Sequence, residues 1–69
     1  MKKYISWHLF GDNWDEWYNT RKESEEEYKQ KVLDAEGSIN IRLYKTISFE
    51  DDTLEVEEEY VKGRGNYPW

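Results

Sequence analysis

The chain has no cysteine and a single histidine, His8. Without thiols it has neither a disulfide to staple a short fold nor a thiolate metal site. One histidine cannot supply the converging ligands of a zinc cage, so no metal and no cofactor are expected. Bases are also in short supply: 10 Lys and Arg face 16 Asp and Glu, a net charge of −6. That balance disfavours general affinity for DNA, RNA or anionic lipid and favours a basic partner. No stretch approaches the ~20 apolar residues of a membrane span. The N-terminal MKKYISWHLFGD has two lysines, but its apolar run is too short and interrupted for a signal peptide, so a cytoplasmic location is expected.

What the chain does have is aromatics, at 17% of 69 residues, with four Trp and six Tyr. Each ring can bury ~150–250 Å², so a core can be built from few residues. That content separates the chain from disordered acidic tails. The length predicts one domain over residues 1–62, followed by a flexible aromatic C-terminal tail over 63–69.

Residues 3–10, KYISWHLF, read as a strand, with Ile5, Trp7 and Leu9 on one face and Tyr4, Ser6, His8 and Phe10 on the other. Gly11-Asp12-Asn13 is turn chemistry, and WDEWY returns as a second strand. A three-residue loop sets Phe10 opposite Trp14, His8 opposite Glu16 and Trp7 opposite Trp17. Thr20-Arg21-Lys22-Glu23 matches the capping box, which starts a helix near Arg21 that runs to Glu36, with Gly37 as its left-handed cap. Ser24, Tyr28, Val32 and Ala35 form its inner stripe, with Leu33 beside it. A rival reading starts the helix at Asn13 and gives βαββ in place of ββαββ.

SINIRLYKTISF alternates, with Ile39, Ile41, Leu43, Ile47 and Phe49 on one face and Asn40, Arg42, Tyr44, Thr46 and Ser48 on the other. LEVEEEYVK alternates again: Leu54, Val56 and Tyr60 against Glu55, Glu57 and Glu59. A turn centred on Asp51-Asp52 then predicts Phe49 facing Leu54, Ile47 facing Val56, Lys45 facing Glu58 and Leu43 facing Tyr60. The expected fold is α+β, a four-stranded antiparallel sheet with one helix on one face. The glycines at 63 and 65 allow the aromatic tail to bend back over the sheet.

Catalytic chemistry is thin. Ser6, Ser24, Ser38 and Ser48 could each neighbour His8, but none sits in a nucleophile elbow. The carboxylates lie on strand and helix positions where burial, and hence a raised pKa, is not expected. Asp51-Asp52 lacks EF-hand spacing, and Gly63-x-Gly65 lacks the third glycine and partner acid of a dinucleotide site. The expectation is a chain that is not an enzyme.

Binding surfaces are better supported. Seven carboxylates fall between Glu50 and Glu59. Glu55, Glu57 and Glu59 would form a ladder of negative charge with steps of ~6.6–6.8 Å, and Glu23, Glu25, Glu26, Glu27, Asp34 and Glu36 add acidity on the helix. Such an array could stand in for phosphates toward a nucleic-acid-binding protein, or could simply solubilise the chain and protect a sheet edge. Tyr4, Phe10, Trp14 and Tyr18, joined by Tyr44, are expected to point away from the helix as apolar anchors. The composition resembles that of small accessory proteins of bacteriophages and mobile elements. The expected role is protein binding, with Glu55, Glu57, Glu59, Trp14, Tyr18 and Tyr44 meeting a basic protein surface as an inhibitor that mimics nucleic-acid charge. The alternatives are a homodimeric structural module and an aromatic-sheet binder of single-stranded nucleic acid.

Overall fold

The computed structural model describes residues 3–49 and 56–65 of the chain. The order of elements is β1 (Lys3–Gly11), β2 (Asp15–Tyr18), α1 (Arg21–Asp34), β3 (Ile41–Phe49) and β4 (Val56–Arg64). The four strands form one antiparallel sheet in the order β2-β1-β3-β4, giving the expected ββαββ, α+β architecture. Because residues 15–18 are strand, the longer helix starting at Asn13 does not occur.

The helix begins where its capping chemistry lies. Thr20 is extended (φ −130°, ψ 150°) and its Oγ1 accepts the Glu23 amide at 3.2 Å, satisfying one of the donors that every helix start leaves open. Ser24 is fully buried yet costs little, since its hydroxyl donates to the Arg21 carbonyl at 2.7 Å. Helical geometry ends at Asp34, two residues before the expected Glu36, because Glu36 itself turns left-handed (φ 53°) ahead of Gly37 (φ 81°). The Gly37 amide closes the end by donating to the Val32 carbonyl at 2.9 Å.

The core is small. Leu9, Ile41 and Leu43 are fully buried, and Trp7, Trp14, Tyr18, Tyr28, Val32, Ile39 and Val61 pack around them. Each buried aliphatic side chain contributes about 1.5–3 kcal/mol relative to exposure. The inner stripe of α1 is as expected, with Ser24 buried and Tyr28, Val32 and Ala35 half-buried; Leu33 is exposed. The backbone of α1 approaches β1, β2 and β3 but not β4. No helix among the described residues is long and apolar enough to cross a membrane.

Both hairpins are one residue out of the expected register. In the first, Gly11 is the last residue of β1 rather than part of the turn, and its amide donates to the Trp14 carbonyl at 3.0 Å. The loop is therefore Asp12-Asn13, and the pairs become Trp7 with Tyr18, His8 with Trp17, Leu9 with Glu16 and Phe10 with Asp15. A one-residue slip turns every side chain of a strand over. Trp14 and Tyr18 consequently pack on the core side of the sheet, and Trp17 takes the opposite face. Gly11 permits this: a Cβ there would lie 2.4 Å from Trp14 Nε1, so only glycine leaves room for the indole to fold across the strand.

In the second hairpin Ile47 pairs with Glu57, Lys45 with Glu59 and Tyr44 with Tyr60. The expected pairs of Ile47 with Val56, Lys45 with Glu58 and Leu43 with Tyr60 are not formed. Pairing of Phe49 with Leu54, the Asp51-Asp52 turn and the end of the tail lie outside the described residues. Val56 and Tyr60 are 53% and 59% exposed, contrary to the inward placement their alternation suggested. The physical reason is that the backbone of α1 does not approach β4 and its side chains meet that strand at Lys62, so turning Val56 inward would gain little burial. A β-bulge between Tyr60 and Lys62 then shifts the register by one residue more, placing Lys62 opposite Leu43 and Val61 against the core. β4 continues through Gly63 to Arg64, so residues assigned to the tail by sequence extend the strand instead.

Candidate binding surfaces

The registers sort the side chains into two dissimilar sides. On the side away from the helix, one row of directly paired positions crosses all four strands: Trp17 on β2, His8 on β1, Tyr44 on β3 and Tyr60 on β4. Every member carries a ring. His8 stacks on Trp17 with centroids 4.1 Å apart and planes at 4°. Phe10 flanks the row, 4.8 Å from His8 and 5.7 Å from Tyr44. Tyr60 meets Tyr44 edge-on at 5.7 Å. Offset and edge-to-face pairs at such distances gain about 0.5–1.5 kcal/mol each beyond their burial. Trp17 nevertheless stays 54% exposed.

This open face carries little charge. Asp15 accepts from His8 Nε2 at 3.2 Å, so the partner of His8 is Asp15 and not the expected Glu16. Arg42 is the cation of the face among the described residues. Its guanidinium lies over Gly63 and donates to the carbonyls of Ile41 at 2.9 Å, Arg64 at 3.0 Å and Gly65 at 3.4 Å. It braces the end of β4 against β3. Among the described residues of the sheet, Glu58 is the other carboxylate on this side.

The helix side is acidic. Alternation along β4 sets Glu57 and Glu59 there, both exposed, on the side of the sheet that also carries α1. The alternation of LEVEEEYVK, with Val56 and Tyr60 inward, implies a ladder facing away from the helix; Glu57 and Glu59 face the helix side instead, and Glu55 lies outside the described residues. Glu16 and Glu25 are held in place. Glu16 accepts from the Tyr18 hydroxyl and from Lys31 Nζ at 3.4 Å. The Tyr18 hydrogen bond holds its carboxyl below the usual range, while burial, followed by that same bond, pushes the Tyr18 phenol well above its ordinary value. Glu25 bridges Lys62 at 2.9 Å and Arg21 at 3.4 Å, and the Lys62 hydrogen bond lowers its pKa. Lys45 is the cross-strand neighbour of Glu59, but among the described residues no ion pair holds Glu57, Glu58 or Glu59.

Of the side chains singled out by sequence, Tyr44 lies on the open face as expected. Trp14 and Tyr18 do not; they are half-buried against the core, with the Lys31 ammonium 4.6 Å from the Trp14 ring. Sequence reasoning missed Trp17, His8 and Tyr60 as members of one row. The signal was present in the alternation of DEWY, which sets Trp17 opposite Tyr18, but its direction depended on the loop length. No protein-family model, curated protein or solved structure matches the chain.

Proposed function

We propose that this chain is a small, non-enzymatic protein-binding module that takes an extended basic segment of its partner along β4, the edge strand of the sheet among the described residues. The observation that carries this reading is the row of Glu57, Glu58 and Glu59, three exposed carboxylates that no ion pair holds among the described residues, on an ordered strand at the edge of the sheet. An edge strand presents main-chain donors and acceptors to an incoming strand. Its carboxylates alternate between the two sides, so lysines or arginines at successive positions of the added strand would each meet one. The same carboxylates discourage pairing with a second copy of this edge, where like charges would be opposed.

In its most concrete form the module is an inhibitor of the phage type, directed at a basic nucleic-acid-binding protein, with Glu57 and Glu59 in the place of phosphates. Direct binding of single-stranded nucleic acid is disfavoured by the net charge of −6 and by the engagement of Arg42 with backbone carbonyls.

The test is titration of the isotope-labelled chain with a defined extended peptide of alternating lysine and valine. Amide shifts along residues 56–64 that weaken with added salt, and that Glu58→Lys abolishes, are expected. Absence of binding at low salt, or binding that ignores Glu58→Lys, would end the proposal.

A further inference from the structure

We infer that the open aromatic face is a self-association surface, occupied by the same face of a second copy related by a two-fold axis parallel to the strands. The chain carries a net charge of −6 but holds most of its charged side chains away from this face, where, among the described residues, rings and small polar side chains outnumber Asp15, Glu58 and Arg42. A face built for a basic partner would show its carboxylates, and one built for phosphates would show free cations. Among the described residues this face shows only Asp15, tethered to His8, Glu58 at its β4 edge and Arg42, engaged with backbone carbonyls, and such a ring-bearing surface of low charge is matched by another like it.

The register makes the face self-complementary. With the axis running between β1 and β3, β2 of one copy lies over β4 of the other and the ring row lies on its own reverse. Trp17 then meets the partner's Tyr60, and His8 meets the partner's Tyr44. Arg42 comes over the partner's Phe10, a cation–π arrangement. Asp15 faces the partner's Gly63. No like charges are opposed. Sheets packed face to face align in this way within about 30°.

The size is adequate for a modest dimer. With strands about 4.8 Å apart and about 3.3 Å per residue, the face covers roughly 500 Å² per copy, or about 1,000 Å² in total, at the lower limit of a specific interface. Association should therefore depend on concentration in the micromolar range. The acidic helix sides face outward and repel weakly, so added salt should favour the dimer. Salt has the opposite sign for the basic partner of β4, which keeps the two proposals experimentally separate.

Sedimentation equilibrium over a hundredfold dilution series, at low and high salt, is the test. The expected mass rises from 8.5 kDa toward twice that value with concentration, and further with salt. Tyr60→Glu is at an exposed edge position and leaves the core intact; it should weaken the dimer about thirtyfold, as loss of an aromatic anchor does. Trp17→Glu should do the same, with the helical circular dichroism signal retained in Tyr60→Glu as the folding control. Glu57→Lys, on the other side of the sheet, should leave the dimer unchanged. A mass of 8.5 kDa throughout, or a dimer indifferent to Tyr60→Glu, overturns the inference. So does a monomer whose tryptophan emission is quenched by oligothymidylate, which would assign the face to base stacking.

Discussion

The imidazole of His8 lies flat on the indole of Trp17, 4.1 Å between centroids and 4° between planes, across the β1–β2 pair. The contact joins the short edge strand to the centre of the sheet on the face that the helix leaves open. Asp15 tethers the same imidazole at 3.2 Å. His8→Ala removes both contacts without touching the core, and should cost about 1 kcal/mol in urea unfolding. A loss within experimental error would mean that the stack does not form.

Gly11 decides which way the first hairpin turns. Gly11→Ala places a methyl group within 2.4 Å of Trp14 Nε1 and must displace the indole from its seat by Lys31. Overpacking of this kind typically costs about 1–3 kcal/mol. The variant should unfold at lower denaturant, with a red-shifted tryptophan emission as the Trp14 ring becomes wetter. An unshifted spectrum at full stability would show that Trp14 lies elsewhere.

Tyr18 offers an alkaline signature. Its phenol is pushed up, by burial first and by the Glu16 hydrogen bond next. The folded state therefore holds this proton more tightly than the unfolded state, in which tyrosine ionises near pH 10. The resulting stability is complete below about pH 10 and is lost as pH rises through the folded value. Ultraviolet titration should show one tyrosine ionising well after the ordinary range, and Tyr18→Phe should remove that late step. A titration unchanged by Tyr18→Phe would speak against the pair.

At acid pH the sign reverses. Glu16 and Glu25 have lowered pKa values, caused first by hydrogen bonds from Tyr18 and Lys62 respectively. Their contribution is present above the unfolded value of about 4.3 and disappears as pH falls through the lower folded value. Glu25→Gln should lower stability slightly at neutral pH and flatten the acid limb of the stability curve. Lys62→Met should flatten it likewise, because it removes the same bond. A steeper limb in either variant would refute the assignment.

Much of this fold can be read from local chemistry. Thr20 and Glu23 mark the helix start, and the stripe of Ser24, Tyr28 and Val32 marks its inner side, because capping and periodicity act within a few residues. Leu9, Ile41 and Leu43 declare themselves core by alternation. Register is another matter. It depends on whether Gly11 belongs to strand or turn, and on a bulge at Val61 that sequence alternation does not announce. A contact of Lys45 with Glu58 satisfies the alternation of both strands, but it requires that the helix reward inward placement of Val56. The helix backbone stops short of β4 and its side chains meet that strand at Lys62, so Lys45 meets Glu59 instead and the carboxylates change sides. The candidate surfaces moved with them: Trp14 and Tyr18 went to the core, and Trp17 and Tyr60 came to the open face.

Both proposed surfaces depend on these registers, and a nuclear Overhauser spectrum of the labelled chain tests them most directly. The account predicts ring–ring cross-peaks between Tyr44 and Tyr60 and between His8 and Trp17. Cross-peaks joining the Tyr60 ring to the Leu43 methyl groups, with none to Tyr44, would contradict it.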